Sequence, residues 1–191
     1  MRKWKRVDTA DGARLRSSLA AHESALLQSL VKSLVDMLDG RESTSPRDEL
    51  AEITGMRTGH STPPEDDTMK RLLPDFYKPQ TEHPAGSTAA ESLNSALRGL
   101  HEPEIIDAKL AAGSVVLKTL PEDGGRILLT PEQADAWLTA LTDVRLALGT
   151  VLGIDAETPD HLEPNDPRGP HLDVYHWLTW MQDSLLQALA P

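Results

Sequence analysis

Residues 26–38 read LLQSLVKSLVDML, and this stretch decides the fold class. Its apolar side chains recur at spacings of three and four, which is the period of one face of an α-helix. Lys32 and Asp36 interrupt the run, which is far shorter than the roughly 20 continuous apolar residues that a membrane span needs. The pattern predicts an amphipathic helix that begins at Ala21, with Gly40 as its C-terminal cap.

Two short strands are predicted on the N-terminal side of this helix, at residues 3–7 and 13–19. The five residues between them read DTADG, and the closing Asp-Gly pair is a strong turn signal. Leu15 and Leu19 share one face of the second strand. We therefore predict a β-hairpin before the first helix.

The order of strand and long helix returns near the other end of the chain. The apolar run Ile127-Leu128-Leu129 follows a Gly-Gly pair and predicts a third short strand near 126–129 that joins the hairpin. Thr130 is a helix N-cap with Pro131 at the first position and Gln133 placed for a capping box. The helix that they open should end near Gly153.

Helical periodicity also covers residues 87–100, residues 103–120 and a last amphipathic segment over about His171–Ala190. Pro103 either begins a separate helix or kinks one long helix. Helical segments outnumber strands, so we predict a mainly α (α+β) fold. In this fold a helical bundle of about five to seven helices carries a small N-terminal β-hairpin and the third strand near 126–129.

A chain of 191 residues fits one ordinary domain. We predict a single domain over 1–191, in which the Pro-rich stretch 41–88 is a partly irregular excursion. A linker between two domains is the alternative, but neither side has enough chain for a comfortable core of its own. Short helical turns are expected inside the excursion at Pro46–Ile53 and Glu65–Leu73, and an acidic, Pro-rich loop at 155–170.

Charge is placed unevenly along the chain. The net charge is −11, yet residues 1–16 carry six bases and two acids. The acidic remainder repels a phosphate backbone, so direct nucleic-acid binding is disfavoured except through the basic N-terminus. The preferred interpretation of those bases is an edge strand whose charges discourage unwanted strand pairing.

Several function classes are excluded or disfavoured by what the sequence lacks. It has no cysteine, so a disulfide framework, a thiolate metal site and a thiol switch are all excluded. The basic N-terminus is not followed by an apolar stretch, which argues against a secretory signal, and no membrane span is predicted. We therefore expect a cytoplasmic protein.

Two short patterns are candidate metal ligands. Glu104 with Asp107, and Asp173 with His176, each lie three residues apart on one helix face, as in carboxylate–histidine sites of helical bundles. Acids near helix starts also offset the helix dipole, and this explanation is favoured because bundle sites need such motifs from several helices. We predict no metal, no cofactor and, because no nucleophile motif stands out, no enzymatic activity.

Aromatic residues are concentrated in the last helix, where Tyr175, Trp177 and Trp180 lie close together. They are either core fillers, the favoured interpretation, or anchors of a protein interface. Asp143 and Arg145 either hold a neighbouring helix through a partly buried ion pair or are solvated.

Five stretches together carry a family resemblance. They are WKR at 4–6, LNSALR at 93–98, HEPEIIDAK at 101–109, DVRLALG at 143–149 and DVYHWLTW at 173–180. They resemble an actinobacterial family long known as a domain of unknown function and described in places as AosR-type oxidative-stress regulators. The resemblance spans nearly the whole chain.

The resemblance implies a transcription regulator that contacts a stress sigma factor and so RNA polymerase. It also implies an alternative, an adaptor in Clp-type regulated proteolysis, because genes of the family often lie beside a Clp adaptor. A homodimer and a metal-dependent enzyme are further alternatives. The candidate partner contacts are Trp4, Lys5, Arg6, Tyr175 and Trp180. Since the chain has no cysteine, either its partner senses the oxidant or this member of the family does something else.

Overall fold

The computed structural model describes residues 1–45, 57–77, 87–155, 157–159, 163 and 166–190. Within these ranges the chain forms five helices and one three-stranded sheet. The strands are β1 (Arg2–Thr9), β2 (Gly12–Leu19) and β3 (Gly125–Leu129), and the helices are α1 (Ala21–Ser43), α2 (Asp67–Leu72), α3 (Thr88–Thr119), α4 (Pro131–Leu152) and α5 (Gly169–Leu189). The predicted mainly α (α+β) fold is confirmed.

The sheet has the order β1-β2-β3, and both strand pairs are antiparallel. The hairpin between β1 and β2 closes where Thr9 pairs with Gly12, and Gly12 takes a φ of +100° that favours glycine. β3 pairs with β2, as the sequence predicts, and places Ile127 and Leu129 on the buried face.

A β-bulge interrupts β1 near its start. Arg2 pairs with Ser18 and Lys5 pairs with Arg16, so three steps along β1 match two steps along β2. The extra residue changes the alternation of side chains along β1. As a result Trp4 points into the core while Arg2 and Lys5 both lie opposite outward-facing residues of β2.

Helix α1 continues through Gly40 to Ser43, so the prediction that Gly40 caps it is wrong. A glycine ends a helix by taking a left-handed φ, and Gly40 does not take one. The hydroxyls of Ser43 and Thr44 instead donate to the Gly40 carbonyl at 3.0 and 3.2 Å. These side-chain donors satisfy a carbonyl in the last turn.

Pro103 lies inside the single long helix α3, which decides between the two alternatives left by the sequence. A proline has no N–H, so the carbonyl of Gly99, four residues earlier, lacks its helical donor. The N–H of Gly59 supplies one at 2.7 Å. A Cβ on Gly59 would lie 2.8 Å from Cδ of Pro103, so only glycine lets the chain approach the helix here.

Helix α4 begins and ends as its sequence predicts. The hydroxyl of Thr130 accepts from the N–H of Gln133 at 3.2 Å, and the Gln133 side chain accepts from the N–H of Thr130 at 2.9 Å, which completes the capping box. Gly153 follows the helix with a left-handed φ of 63°.

The chain divides into two compact units, and the boundaries fall within α1 and α3. The first, here called the sheet unit, comprises 1–35 and 111–191, and the second, the central unit, comprises 36–110. The single-domain organisation of the chain stays a prediction. Helix α2 confirms the turn predicted at Glu65–Leu73, whereas the turn predicted at Pro46–Ile53 lies outside the described residues.

Candidate interaction surfaces

Trp4 lies in the core of the sheet unit, and only 2% of its surface is exposed. Its ring meets the ring of Trp137 edge to face, with centroids 5.6 Å apart, a favoured aromatic geometry. The bulge turns the Trp4 N–H away from β2, and it donates to the hydroxyl of the buried Ser184 on α5 at 2.9 Å. Of the candidate partner contacts, the Trp4 ring is therefore packed inside rather than presented at the surface.

Trp137 is also fully buried, on α4. Its Nε1 donates to the hydroxyl of Thr119 at 2.8 Å, and that hydroxyl donates to the carbonyl of Val115 at 2.7 Å. This acceptor spares Trp137 the cost of an unmet N–H in the core, about 1–3 kcal/mol, whereas the buried Nε1 of Trp4 meets no hydrogen-bond partner among the described residues. The tryptophan pair thus joins the sheet to α4 and to the end of α3.

Lys5 and Arg6 are both exposed on β1 but face opposite ways. Lys5 lies opposite Arg16 on the outward face of the sheet. Arg6 lies opposite the buried Leu15, and its guanidinium donates to the carbonyl of Leu189 at 3.4 Å, at the end of α5. Lys5 is thus directed at solvent, whereas Arg6 also ties β1 to α5.

Helices α4 and α5 are joined by a polar cluster around Arg145. Its guanidinium donates to the side chain of Gln182 at 2.6 Å and to the hydroxyl of Tyr175 at 3.4 Å, and it lies 5.1 Å from the centroid of the Tyr175 ring. Asp143 is buried. Arg145 is half-buried and contacts the neighbouring helix through Gln182 and Tyr175. The contact with a neighbouring helix is therefore present, while the ion pair of the first alternative stays a prediction.

Trp180 is the exposed aromatic of α5, with 43% of its surface accessible. Around it, at helical spacings of three and four, lie side chains that are exposed or half-buried. They are Asp173, His176, Asp183 and Gln187. We call this strip the α5 outer face, and it combines one large aromatic with two carboxylates.

Two carboxylates of the acidic loop before α5, Asp155 and Asp166, have a lowered pKa. The hydroxyl of Thr158 donates to Asp155 at 2.7 Å, and this bond is the main reason that the pKa of Asp155 is lowered. The Arg168 side chain does the same for the pKa of Asp166, with Nη2 at 2.9 Å from Oδ2. Negative charge therefore persists near the start of α5 at neutral pH.

The candidate metal ligands do not form a cluster. Within the described ranges no three His, Asp or Glu side chains gather closely enough to hold a metal ion. Asp107 instead accepts from Arg57 at 2.8 Å, while Glu104 and Asp173 are exposed. The structure offers no support for a metal site at these residues.

A buried ionic network occupies the central unit, and sequence reasoning missed it. Arg98 and Glu102 are each 1% exposed and pair at 2.7 Å, four residues apart on α3. The second carboxylate oxygen of Glu102 accepts from Nε of Arg41 at 2.8 Å. The signal in the sequence was the spacing of four between Arg98 and Glu102, which is more typical of an exposed helix pair.

The same network fastens the segments that lead into and out of α2. Arg98 donates to the carbonyls of Leu73 and Pro74 at 3.1 and 3.3 Å and to the carboxylate of Asp75 at 2.9 Å. Arg41 donates to the carbonyl of Thr62 at 2.6 Å. The two guanidiniums therefore donate the hydrogen bonds that hold these irregular segments in place, since the segments have no ladder of backbone hydrogen bonds.

The fold and these surfaces define a mainly helical α+β protein in which Trp180 stands exposed on the last helix. None of the helices in the described ranges combines the length and the hydropathy needed to cross a bilayer. Residues 1–189 match the family DUF2017, which is described as a domain of unknown function. The chain belongs to that family.

Curated relatives carry a functional name. The chain is 51% identical over 192 residues to the oxidative stress regulator AosR of Mycobacterium tuberculosis strain ATCC 25618 / H37Rv, a match that covers 99% of this chain and 88% of the relative. The same figures hold for the oxidative stress regulator AosR of Mycobacterium bovis, and a Mycobacterium leprae relative is 52% identical over the same shares. No solved structure matches the chain significantly. The names of these relatives support a regulatory role for this chain.

Proposed function

We propose that this chain is a non-enzymatic, cytoplasmic regulator of the oxidative-stress response that engages a sigma factor and RNA polymerase through protein–protein contact. The observation that carries the proposal is 51% identity, over 99% of the chain, to proteins named oxidative stress regulators. At this identity and coverage the two share a fold. The contact with a sigma factor and RNA polymerase is what the resemblance of the sequence motifs implies.

The α5 outer face is the surface best suited to that contact. Tryptophan is the side chain most enriched at the centre of protein interfaces, because it buries a large apolar area. Trp180 is exposed, and Asp173 and Asp183 flank it on the same face of the helix. The carboxylates suit a basic partner, since complementary charge steers the encounter and fixes the orientation. Tyr175, another candidate contact on the same helix, is half-buried and is held by Arg145.

Binding of the purified protein to purified RNA polymerase, with and without a stress sigma factor, tests the proposal. We expect Trp180→Ala to weaken binding at least about tenfold, as loss of an interface anchor does, and to leave the thermal midpoint unchanged. Leu100→Ala is the control, because Leu100 is 60% exposed but lies on α3 in the central unit. Equal binding by wild type and Trp180→Ala would contradict the role of this face.

Affinity capture from lysate, with and without peroxide, identifies the partner class. Recovery of a sigma factor or RNA polymerase supports the proposal, and recovery of Clp components in their place would favour the adaptor in proteolysis. Since the chain has no cysteine, we expect peroxide to act on the partner. Untreated protein mixed with peroxide-treated partner should then show the same change in recovery. If it does not, the oxidant acts on this chain and not on the partner.

A further inference from the structure

We propose that the outward face of the sheet binds the phosphate backbone of duplex DNA. We call it the basic sheet face, and its cations are Arg2, Lys3, Lys5, Arg14, Arg16 and Arg126. The proposal goes beyond protein–protein regulation and concerns a different surface from the α5 outer face.

The β-bulge of β1 assembles this face. In a regular strand, residues three apart point to opposite sides of a sheet. Here the extra residue places Arg2 opposite Ser18 and Lys5 opposite Arg16, so both join the outward row of β2. Arg126 of β3 flanks Ser18 from the other side. Five of the cations line one shallow depression of about 500 Å³.

Five of these six cations are not neutralised by the protein, whereas the sixth, Arg14, interacts electrostatically with Glu132. Within the described ranges, no ion pair joins a carboxylate to any of the five cations that line the depression. By contrast, Arg41, Arg57 and Arg98 of the central unit are all paired. Unpaired cations on one face of a chain with a net charge of −11 point to a ligand that brings negative charge.

Protection of an exposed sheet edge does not account for the whole arrangement. Edge protection needs charges on the edge strand alone, and it explains Lys3 and Lys5. Arg14 and Arg16 lie on the central strand β2. Lys5 and Arg16 lie directly opposite each other, a like-charge pair that destabilises a sheet. An arrangement that opposes folding is expected where it serves binding.

The composition of the face favours a phosphate backbone over an acidic protein. Arginine, lysine and serine are the side chains that bind phosphates, whereas lysine is depleted at protein interfaces. Leu128 is the large apolar residue that this face exposes, and it is 47% accessible. The face carries no aromatic side chain among its described residues, because Trp4 points inward. Without a stacking platform, the face suits a duplex better than a single strand.

Spacing fits the same ligand. Outward side chains repeat about every 6.6 Å along a strand and about 4.8 Å between strands, so the cations form short rows that can contact several phosphates at once. Such binding is independent of sequence and depends strongly on salt. The acidic remainder of the chain restricts the approach of DNA to this face.

Fluorescence anisotropy with a labelled 20-base-pair duplex and the full chain, without polymerase, tests the proposal. We expect binding at 50 mM salt that weakens by about 40- to 500-fold at 200 mM, since about three to five phosphates are neutralised. Lys5→Glu with Arg16→Glu should weaken binding at least tenfold. Lys70→Glu with Arg71→Glu on α2 makes the same change in net charge and should change binding less than twofold.

A single substitution separates loss of binding from loss of fold. Lys5→Glu places an acid opposite Arg16, so we expect the thermal midpoint to stay level or rise while DNA binding falls. No binding at 50 mM salt, or equal losses in both double variants, would overturn the proposal. Displacement of the duplex by polyglutamate at an equal concentration of charge would assign the face to an acidic protein. Equal affinity for single-stranded DNA would overturn the proposal that the ligand is a duplex. Since polymerase is absent, failure here leaves the proposed function untouched.

Discussion

The two compact units use different chemistry in their interiors. The sheet unit is filled by apolar side chains from every element that it contains, with Trp4 and Trp137 at the point where the sheet meets the helices. In the central unit the buried positions of α3 include a full ion pair, Arg98 with Glu102, and Arg41 joins it from α1. One interior is organised by packing and the other by directed polar contacts.

This difference follows from what each interior has to hold. Strands and helices satisfy most of their own backbone, so apolar area is the main means of bringing them together in the sheet unit, and polar contacts such as Trp4 to Ser184 and Arg145 to Gln182 add to it. The described segments 57–66 and 73–77 of the central unit have no such ladder, and their carbonyls need donors. Arg98 and Arg41 offer five N–H donors each in a rigid fork. Buried arginine is therefore the expected solution where irregular chain must be fixed.

The largest effect is expected in the apolar interior. Trp137→Ala removes a fully buried indole, its contact with Trp4 and its hydrogen bond to Thr119. We expect the free energy of unfolding to fall by about 3–5 kcal/mol. Urea unfolding followed by circular dichroism measures it. Trp180→Ala is the matched control, because 43% of that residue is accessible whereas Trp137 is fully buried; equal losses in both variants would mean that the tryptophan pair does not organise the core.

Glu102→Gln tests the polar interior. It leaves Arg98 buried without its main counter-charge, although Asp75 and two carbonyls still accept from it. We expect a loss of about 3 kcal/mol, at the low end for a broken buried ion pair. Arg98→Met with Glu102→Leu should lose less than Glu102→Gln alone, because no charge is left at the two fully buried positions, and Arg41 loses its carboxylate partner in both variants. A larger loss in the double variant would mean that the arginine contacts to the backbone dominate.

Glu102→Gln also tests whether the two units unfold together. All four tryptophans lie in the sheet unit, so tryptophan fluorescence reports on that unit alone. Amide hydrogen exchange at Leu73 and Arg98 reports on the central unit. If Glu102→Gln speeds exchange there without shifting the fluorescence midpoint, the units unfold separately. A shift in both would support the single domain that the sequence predicts.

The sequence predicted most of the sheet unit because its signals are local. Hydrophobic periodicity, the Asp-Gly turn and the capping box of Thr130 and Gln133 each act within a few residues. The bulge in β1 could not be predicted, since it depends on the pairing with β2 and on Ser184, a residue 180 positions away. The inward position of Trp4 follows from that bulge, and so the interpretation of Trp4 as a partner contact could not be judged from the strand alone.

The central unit was harder to predict for a related reason. Arg98 and Glu102 at a spacing of four are compatible with a solvated helix face, and only the residues that pack over them bury the pair. Pro103 left two alternatives open, because whether a proline breaks a helix depends on whether another donor meets the orphaned carbonyl. That donor is the N–H of Gly59, and it comes from a segment whose sequence has no regular pattern.

The smallest effects come from one substitution made at two glycines of the central unit, and they should differ in sign. A Cβ on Gly59 would meet the Pro103 ring at 2.8 Å, so Gly59→Ala must push the segment away from α3 and stretch the bond to Gly99; we expect a loss of about 1–3 kcal/mol. At Gly40 a Cβ meets nothing within 4 Å, and the residue is inside α1. There alanine should add up to about 1 kcal/mol through helix propensity. Urea unfolding of both variants measures the pair, and two changes of the same sign would mean that the close approach at Pro103 does not hold in solution.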